Sequence, residues 1–176
     1  MIDRRQFSAG VFFTAVAAVA PSEAKTLAPS RGAIRHAIKQ LEAKSQGRLG
    51  VHIIAPSGRE YGYRSAERFM MLSSFKYLAS AFVLARVDEG AESLERRIRY
   101  GKADLVDWSP VTQHHADGDG MTLAELCHAT ITTSDNTAAN LILNSFGGPQ
   151  ALTGFLRATG DSVTRLDRTE PDRKSV

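Results

Sequence analysis

Ser73-Ser74-Phe75-Lys76 sets a hydroxyl and an amine three residues apart. On a helix that spacing puts both side chains on one face, one turn from each other. A serine becomes a nucleophile only when a base takes its proton, and a lysine with a lowered pKa can help to do so. N–H groups at a helix start also steady negative charge on an attacked carbonyl oxygen. The same spacing fits an N-cap serine followed by a snorkelling lysine, so the tetrapeptide alone leaves both readings open. Ser134-Asp135-Asn136 follows later, between two helical stretches. All three residue types bond their own backbone, so the tripeptide can be a plain turn. It can equally be a loop that presents Ser134 as a proton relay and Asn136 as a ligand for a substrate amide. Two such motifs in this order weigh more than either by itself.

Other reactive side chains weigh less. His114-His115-Ala116-Asp117-Gly118-Asp119 has two adjacent histidines, which point apart on regular elements. No second cluster stands at a zinc-like spacing, so the segment reads as a solvated loop and no metal or cofactor is implied. Cys127 is the single cysteine and reads as a small buried hydrophobe, with His128 beside it as helix packing. One cysteine excludes an intramolecular disulfide.

These residues need a scaffold, and 176 residues with 43% hydrophobic and 23% charged side chains suit one soluble domain. The net charge of +3 is mild, and its basic residues are dispersed without an aromatic-basic stripe, which speaks against nucleic acid as a partner. Helical spacing marks Arg31–Lys44, with Gly47 as its stop. Leu49–Ile54 and Glu60–Arg64 read as a hairpin around Pro56-Ser57-Gly58. From Ser73 onward nearly everything reads as helix: Ser73–Glu89, apolar round most of its surface and so expected to be central, with Gly90 as a left-handed cap. Thr122–Thr130 opens on a capping-box spacing, and Thr137–Ser145 and Pro149–Ala158 are split by Gly147-Gly148. At the start, Arg4-Arg5 and Phe7 precede the apolar run Val11–Ala20, and Ser22-Glu23-Ala24 offers small residues for cleavage. The run is too short to span a bilayer, which takes roughly 20 residues. Residues 1–24 are expected to be a twin-arginine-type signal peptide and 25–30 a linker, with residues 25–176 as the catalytic domain.

The two motifs together resemble the class A serine β-lactamases, of which they are a described signature. The likeness extends through "YGKADLVDWSPVT" from Tyr100, "DGMTLAELCHATITTSDNTAANLIL" from Asp119 and "DSVTRLDRTEP" from Asp161, so that it covers about Ile34 to Pro171. It implies an α+β fold, in which a helical domain packs with an N-terminal helix and a two-stranded hairpin from a β-lactamase/transpeptidase-like sandwich. By the same resemblance Ser73 is the nucleophile that forms an acyl-enzyme, Lys76 a proton acceptor or relay, and Ser134 the donor to the lactam nitrogen. Asn136 would bind the acylamide side chain, and Glu170 would hold the water that frees the serine. An acyl ester is hydrolysed quickly only when a base is poised over water. A surface ion pair with Arg165 or Arg168 is the competing assignment for Glu170. Some relatives carry a disulfide between this region and the serine helix; the position facing Cys127 is Ser80.

Beyond Pro171 the likeness stops. The family continues Glu-Pro-x-Leu-Asn, whereas this chain reads Glu170-Pro171-Asp172-Arg173-Lys174, and no Lys-Thr/Ser-Gly follows Asn136. The expectation is therefore an incomplete, C-terminally truncated β-lactamase domain with the remaining strands missing and activity impaired. The alternatives are an inactive fragment or a D,D-peptidase of the penicillin-binding type, which lacks the Glu170 base. The resemblance further implies a small-molecule β-lactam substrate, a monomer with no membrane contact in its mature form, and a periplasmic or secreted location.

Overall fold

Ser30 opens the first helix by accepting a hydrogen bond from Ala33 N at 3.2 Å. In the computed structural model, which describes residues 30–172, that helix is α1, Arg31–Ser45. It runs one residue past the expected end at Lys44, and Gln46, not Gly47, takes the left-handed cap at φ 52°. The strands β1 (Val51–Ile54) and β2 (Glu60–Tyr63) pair antiparallel with Val51 opposite Tyr63 and Ile54 opposite Glu60. The expected signal peptide lies outside the described residues.

One carboxylate joins α1 to this hairpin. Glu42 accepts from Leu49 N at 3.0 Å, Tyr63 Oη at 2.6 Å and Arg64 Nε at 2.9 Å. The Leu49 N–H, the Tyr63 hydroxyl and the Arg64 guanidinium together hold its pKa at about 2.

A 3-10 turn at Leu72–Ser74 leads into α2, Phe75–Asp88. The buried residues Phe75, Lys76, Ala79, Ser80 and Val83 recur at helical spacing and face α3, α4 and α5. The other side is open, with Tyr77 and Leu84 exposed, so α2 is central along one stripe and not all round. Gly90 closes it at φ 71°, as its sequence position suggested.

The next thirty or so residues depart from the all-helical expectation. They form short turns and a two-residue ladder, β3 (Arg97–Ile98) with β4 (Met121–Thr122), in which Ile98 lies opposite Met121. Gly120 is required there: at φ 71°, a Cβ would sit 2.0 Å from Ile98 O. Two residues are too few to show a period of two, which is why the ladder left no sequence signal.

Thr122 then caps α3, Leu123–Thr133, through a reciprocal box in which Thr122 Oγ1 accepts from Glu125 N and Glu125 Oε2 accepts from Thr122 N. Helices α4 (Asn136–Ser145) and α5 (Gly148–Ala158) follow, the latter entered through Gly147 at φ 102°. The helices share a core containing Val83, Leu123, Leu126, Ile142, Leu143 and Leu152, all without solvent exposure. Phe82 extends it by packing on Phe146 and Phe155 at 4.7 and 4.5 Å between ring centroids. Cys127 is half-buried beside Ser80, and its burial pushes the thiol pKa up. The chain after α5 returns across α5, where Thr153 Oγ1 accepts from Leu166 N and donates to Leu166 O. That return brings Glu170 back to the N-terminal end of α4.

Candidate active site

The site is built where α3 stops. Ser134 caps α3 in the left-handed conformation at φ 57°, which turns the chain sharply into Asp135. Asp135 has no exposure, and it caps α4 by accepting from Ala138 N at 2.8 Å. It also accepts from Val111 N and Thr112 N at 3.0 Å and from Thr112 Oγ1 at 2.8 Å. A buried carboxylate is tolerated only with such a set of donors, and here the set pins the loop to the 109–112 segment. The tripeptide is thus both a turn and a rigid platform.

On that platform Ser134 and Asn136 face the amine of Lys76. Lys76 Nζ donates to Ser134 O at 2.7 Å, to Ser134 Oγ at 3.0 Å and to Asn136 Oδ1 at 2.5 Å. The side chain of Lys76 is 3% exposed, which removes the snorkelling reading. Asn136 is held in turn by its backbone N on Trp108 O at 2.9 Å and its Nδ2 on Asp107 O at 2.8 Å.

Glu170 completes the group. Its Oε1 lies 3.5 Å from Lys76 Nζ, and its side chain is 7% exposed. The rival assignment fails on geometry, since Arg165 pairs with Asp167 at 3.3 Å and Arg168 with Asp172 at 2.6 Å. Asn140, one turn after Asn136, grips the Glu170 backbone from both sides: Nδ2 donates to Glu170 O at 3.0 Å and Oδ1 accepts from Glu170 N at 2.9 Å. Nothing in the sequence reading singled out Asn140. Its spacing of four from Asn136 on one helix face was the available signal.

Ser73 lies in the 3-10 turn and not at the α2 N-cap; that position is Ser74, whose side chain makes no capping bond. Ser73 is exposed and lines a cavity of about 300 Å³ together with Leu72, Phe75, Arg168 and Glu170. One cavity therefore holds an accessible hydroxyl and a buried carboxylate, with a buried amine bonded to that carboxylate and to a second hydroxyl. That is the equipment for nucleophilic attack followed by base-assisted hydrolysis. Among the described residues no group of three His, Cys, Asp or Glu side chains could hold a metal ion.

Residues 33–175 match the family described as the beta-lactamase enzyme family. The chain belongs to that family. Solved structures agree with this membership. The class A beta-lactamase of the last common ancestor of Gram-negative bacteria, GNCA4, is 62% identical with a TM-score of 0.76, over 79% of this chain and 53% of that one. PenP from Rhodopseudomonas palustris, named as a class A beta-lactamase, is 55% identical with a TM-score of 0.75, over 78% of this chain and 53% of its own. The chain thus spans about half the length of these family members. The α+β arrangement matches the corresponding part of their fold.

Proposed function

We propose that this site opens the ring of penicillin-like β-lactams through an acyl-serine intermediate. Ser73 Oγ attacks the lactam carbonyl carbon, and the C–N bond breaks. Lys76 Nζ makes three donor bonds, the pattern of an ammonium, so in this charge state the Glu170 carboxylate is the group able to receive the serine proton. The proton for the departing nitrogen comes from Ser134; Lys76 Nζ, bonded to that hydroxyl, replaces it and takes up in turn the proton held on Glu170, 3.5 Å away, so that Glu170 is again a carboxylate. Asn136 offers its side-chain amide to the substrate's acylamide, and Glu170 then activates the water that hydrolyses the ester. The products are a penicilloate-type acid and the free serine.

The observation that carries this reading is the buried Lys76–Glu170 pair, whose carboxylate lines the same cavity as Ser73. Removing two charges from water is costly, and such pairs concentrate where chemistry uses them. A base beside the acylated serine also separates this reading from a peptidase that stays acylated. The protein is proposed to act as a monomer in the periplasm or outside the cell, delivered by a twin-arginine signal. Among the described residues no helix is long and apolar enough to cross a membrane. The test is intact-mass analysis after exposure to a penicillin. One adduct is expected, mapped to Ser73 and absent in Ser73→Ala; an adduct that survives Ser73→Ala contradicts the assignment.

A further inference from the structure

Lys76 is aimed by Asn136, and Asn136 is aimed by a short turn that the motifs do not contain. Asp107 O can only accept and Lys76 Nζ can only donate, so the Asn136 amide has one permitted orientation: Nδ2 to Asp107 O, Oδ1 to Lys76. What fixes the turn itself is a closed ring of three hydrogen bonds. Val106 N donates to Thr137 Oγ1 at 3.0 Å, and Ser109 Oγ donates to Val106 O at 2.7 Å. The two hydroxyls lie 2.7 Å apart. Ser109 has already spent its one proton on Val106 O, so Thr137 must be the donor between them. Every donor and acceptor in the ring is then used once, and both hydroxyls are buried, Thr137 at 0% and Ser109 at 8% exposure. Such a circuit is mutually reinforcing and leaves an orphan when any link is cut.

The ring encloses Asp107 and Trp108. It holds Trp108 at φ 61°, a conformation that an indole-bearing residue does not adopt freely. In that conformation Trp108 O accepts from Asn136 N, and Trp108 Nε1 donates to Thr133 O at 3.0 Å. Thr137 therefore reaches the reacting groups through the turn, without touching Lys76 or the cavity. We infer that Thr137 is a positioning residue, locking the Val106–Ser109 turn so that Asn136 presents its oxygen to Lys76. The bearing on catalysis rests on the proposed function, whereas the bearing on geometry does not.

Trp108 is the only tryptophan in the sequence, so it reports on the turn directly. In the full chain labelled with 15N, the readouts are the water-exchange rate of the single indole N–H and the rate of Ser73 labelling by a fluorescent penicillin. Thr137→Val should raise the exchange rate about tenfold, the loss of roughly one hydrogen bond's worth of protection, and slow labelling. Thr137→Ser keeps the hydroxyl and should restore both. Thr130→Val removes a buried hydroxyl that has no hydrogen-bond partner among the described residues, and it should change neither. Should Thr137→Val not fold, Ser109→Ala cuts the same ring from the loop side with the same expected outcome. Unchanged indole exchange, failure of serine to restore it, or an equal effect from Thr130→Val overturns the inference. If the unsubstituted chain takes no label, the proposed function fails while the indole N–H still decides the role of Thr137.

Discussion

Lys76 Nζ donates to Ser134 O, Ser134 Oγ and Asn136 Oδ1 and pairs with the carboxylate of Glu170. Two consequences can be measured. Lys76→Met leaves the Glu170 carboxylate buried without its cation and should lower stability by about 3–5 kcal/mol. The double substitution Lys76→Met with Glu170→Gln removes both charges and should recover much of that loss in urea unfolding. An additive double variant would mean that the two side chains are not energetically coupled. The second consequence concerns Asn140, which grips the Glu170 backbone from both sides. Asn140→Ala should cost about 1–3 kcal/mol and loosen Glu170, with faster backbone exchange at that residue as the readout. Unaltered exchange at Glu170 would remove Asn140 from the account.

At the scale of elements, the helices were legible because their residues agree locally with their tertiary setting. Thr122-Leu123-Ala124-Glu125 predicts a capping box and forms one; Gly90 and Gly147 sit where left-handed backbone is needed. The side chains singled out by type, Lys76, Ser134, Asn136 and Glu170, do converge on one point. Three features were not legible, each for a stated reason. Ser73 belongs to a 3-10 turn, whose tighter winding has no distinct residue pattern. The β3–β4 ladder is too short to alternate. Asp135 looked like a turn residue, yet its burial and its bonds to Val111 and Thr112 make it the anchor of the loop, a pairing across chain segments that no local rule foresees.

The hairpin makes its own prediction. Glu42, which ties α1 to β1 and β2, has its pKa depressed from the ordinary 4.5 to about 2. A carboxylate depressed in the folded state contributes stability above its unfolded pKa and loses it as pH falls through the folded value. The anchoring should therefore weaken between about pH 4.5 and pH 2. Glu42→Gln should flatten the stability profile over that window in urea unfolding, and a profile as steep as before would show that Glu42 is not the anchor.

As a whole molecule the chain has two unequally packed parts. The α2–α5 body encloses a continuous core, whereas α1 buries only Ile38 and leans on the hairpin through Glu42 and the Arg35–Tyr63 contact. The candidate site belongs to the better-packed part, between α2, the α3–α4 junction and the loop that returns over α5. The hydrogen bonds named above for Lys76 and Glu170 come from Ser134, Asn136 and Asn140, all of that part. Family membership is shared with solved structures about half of whose length this chain covers, and the family match over residues 33–175 contains both motifs and the Glu170 loop.

The central claim is that Glu170 releases an acylated Ser73. The most direct measurement is the lifetime of the penicillin adduct, followed by intact mass after excess drug is removed, in the unsubstituted chain and in Glu170→Gln. Loss of a positioned general base should lengthen that lifetime by about 10²-fold or more, with the adduct still on Ser73. Equal lifetimes in the two proteins would contradict the account and leave Glu170 as a structural partner of Lys76.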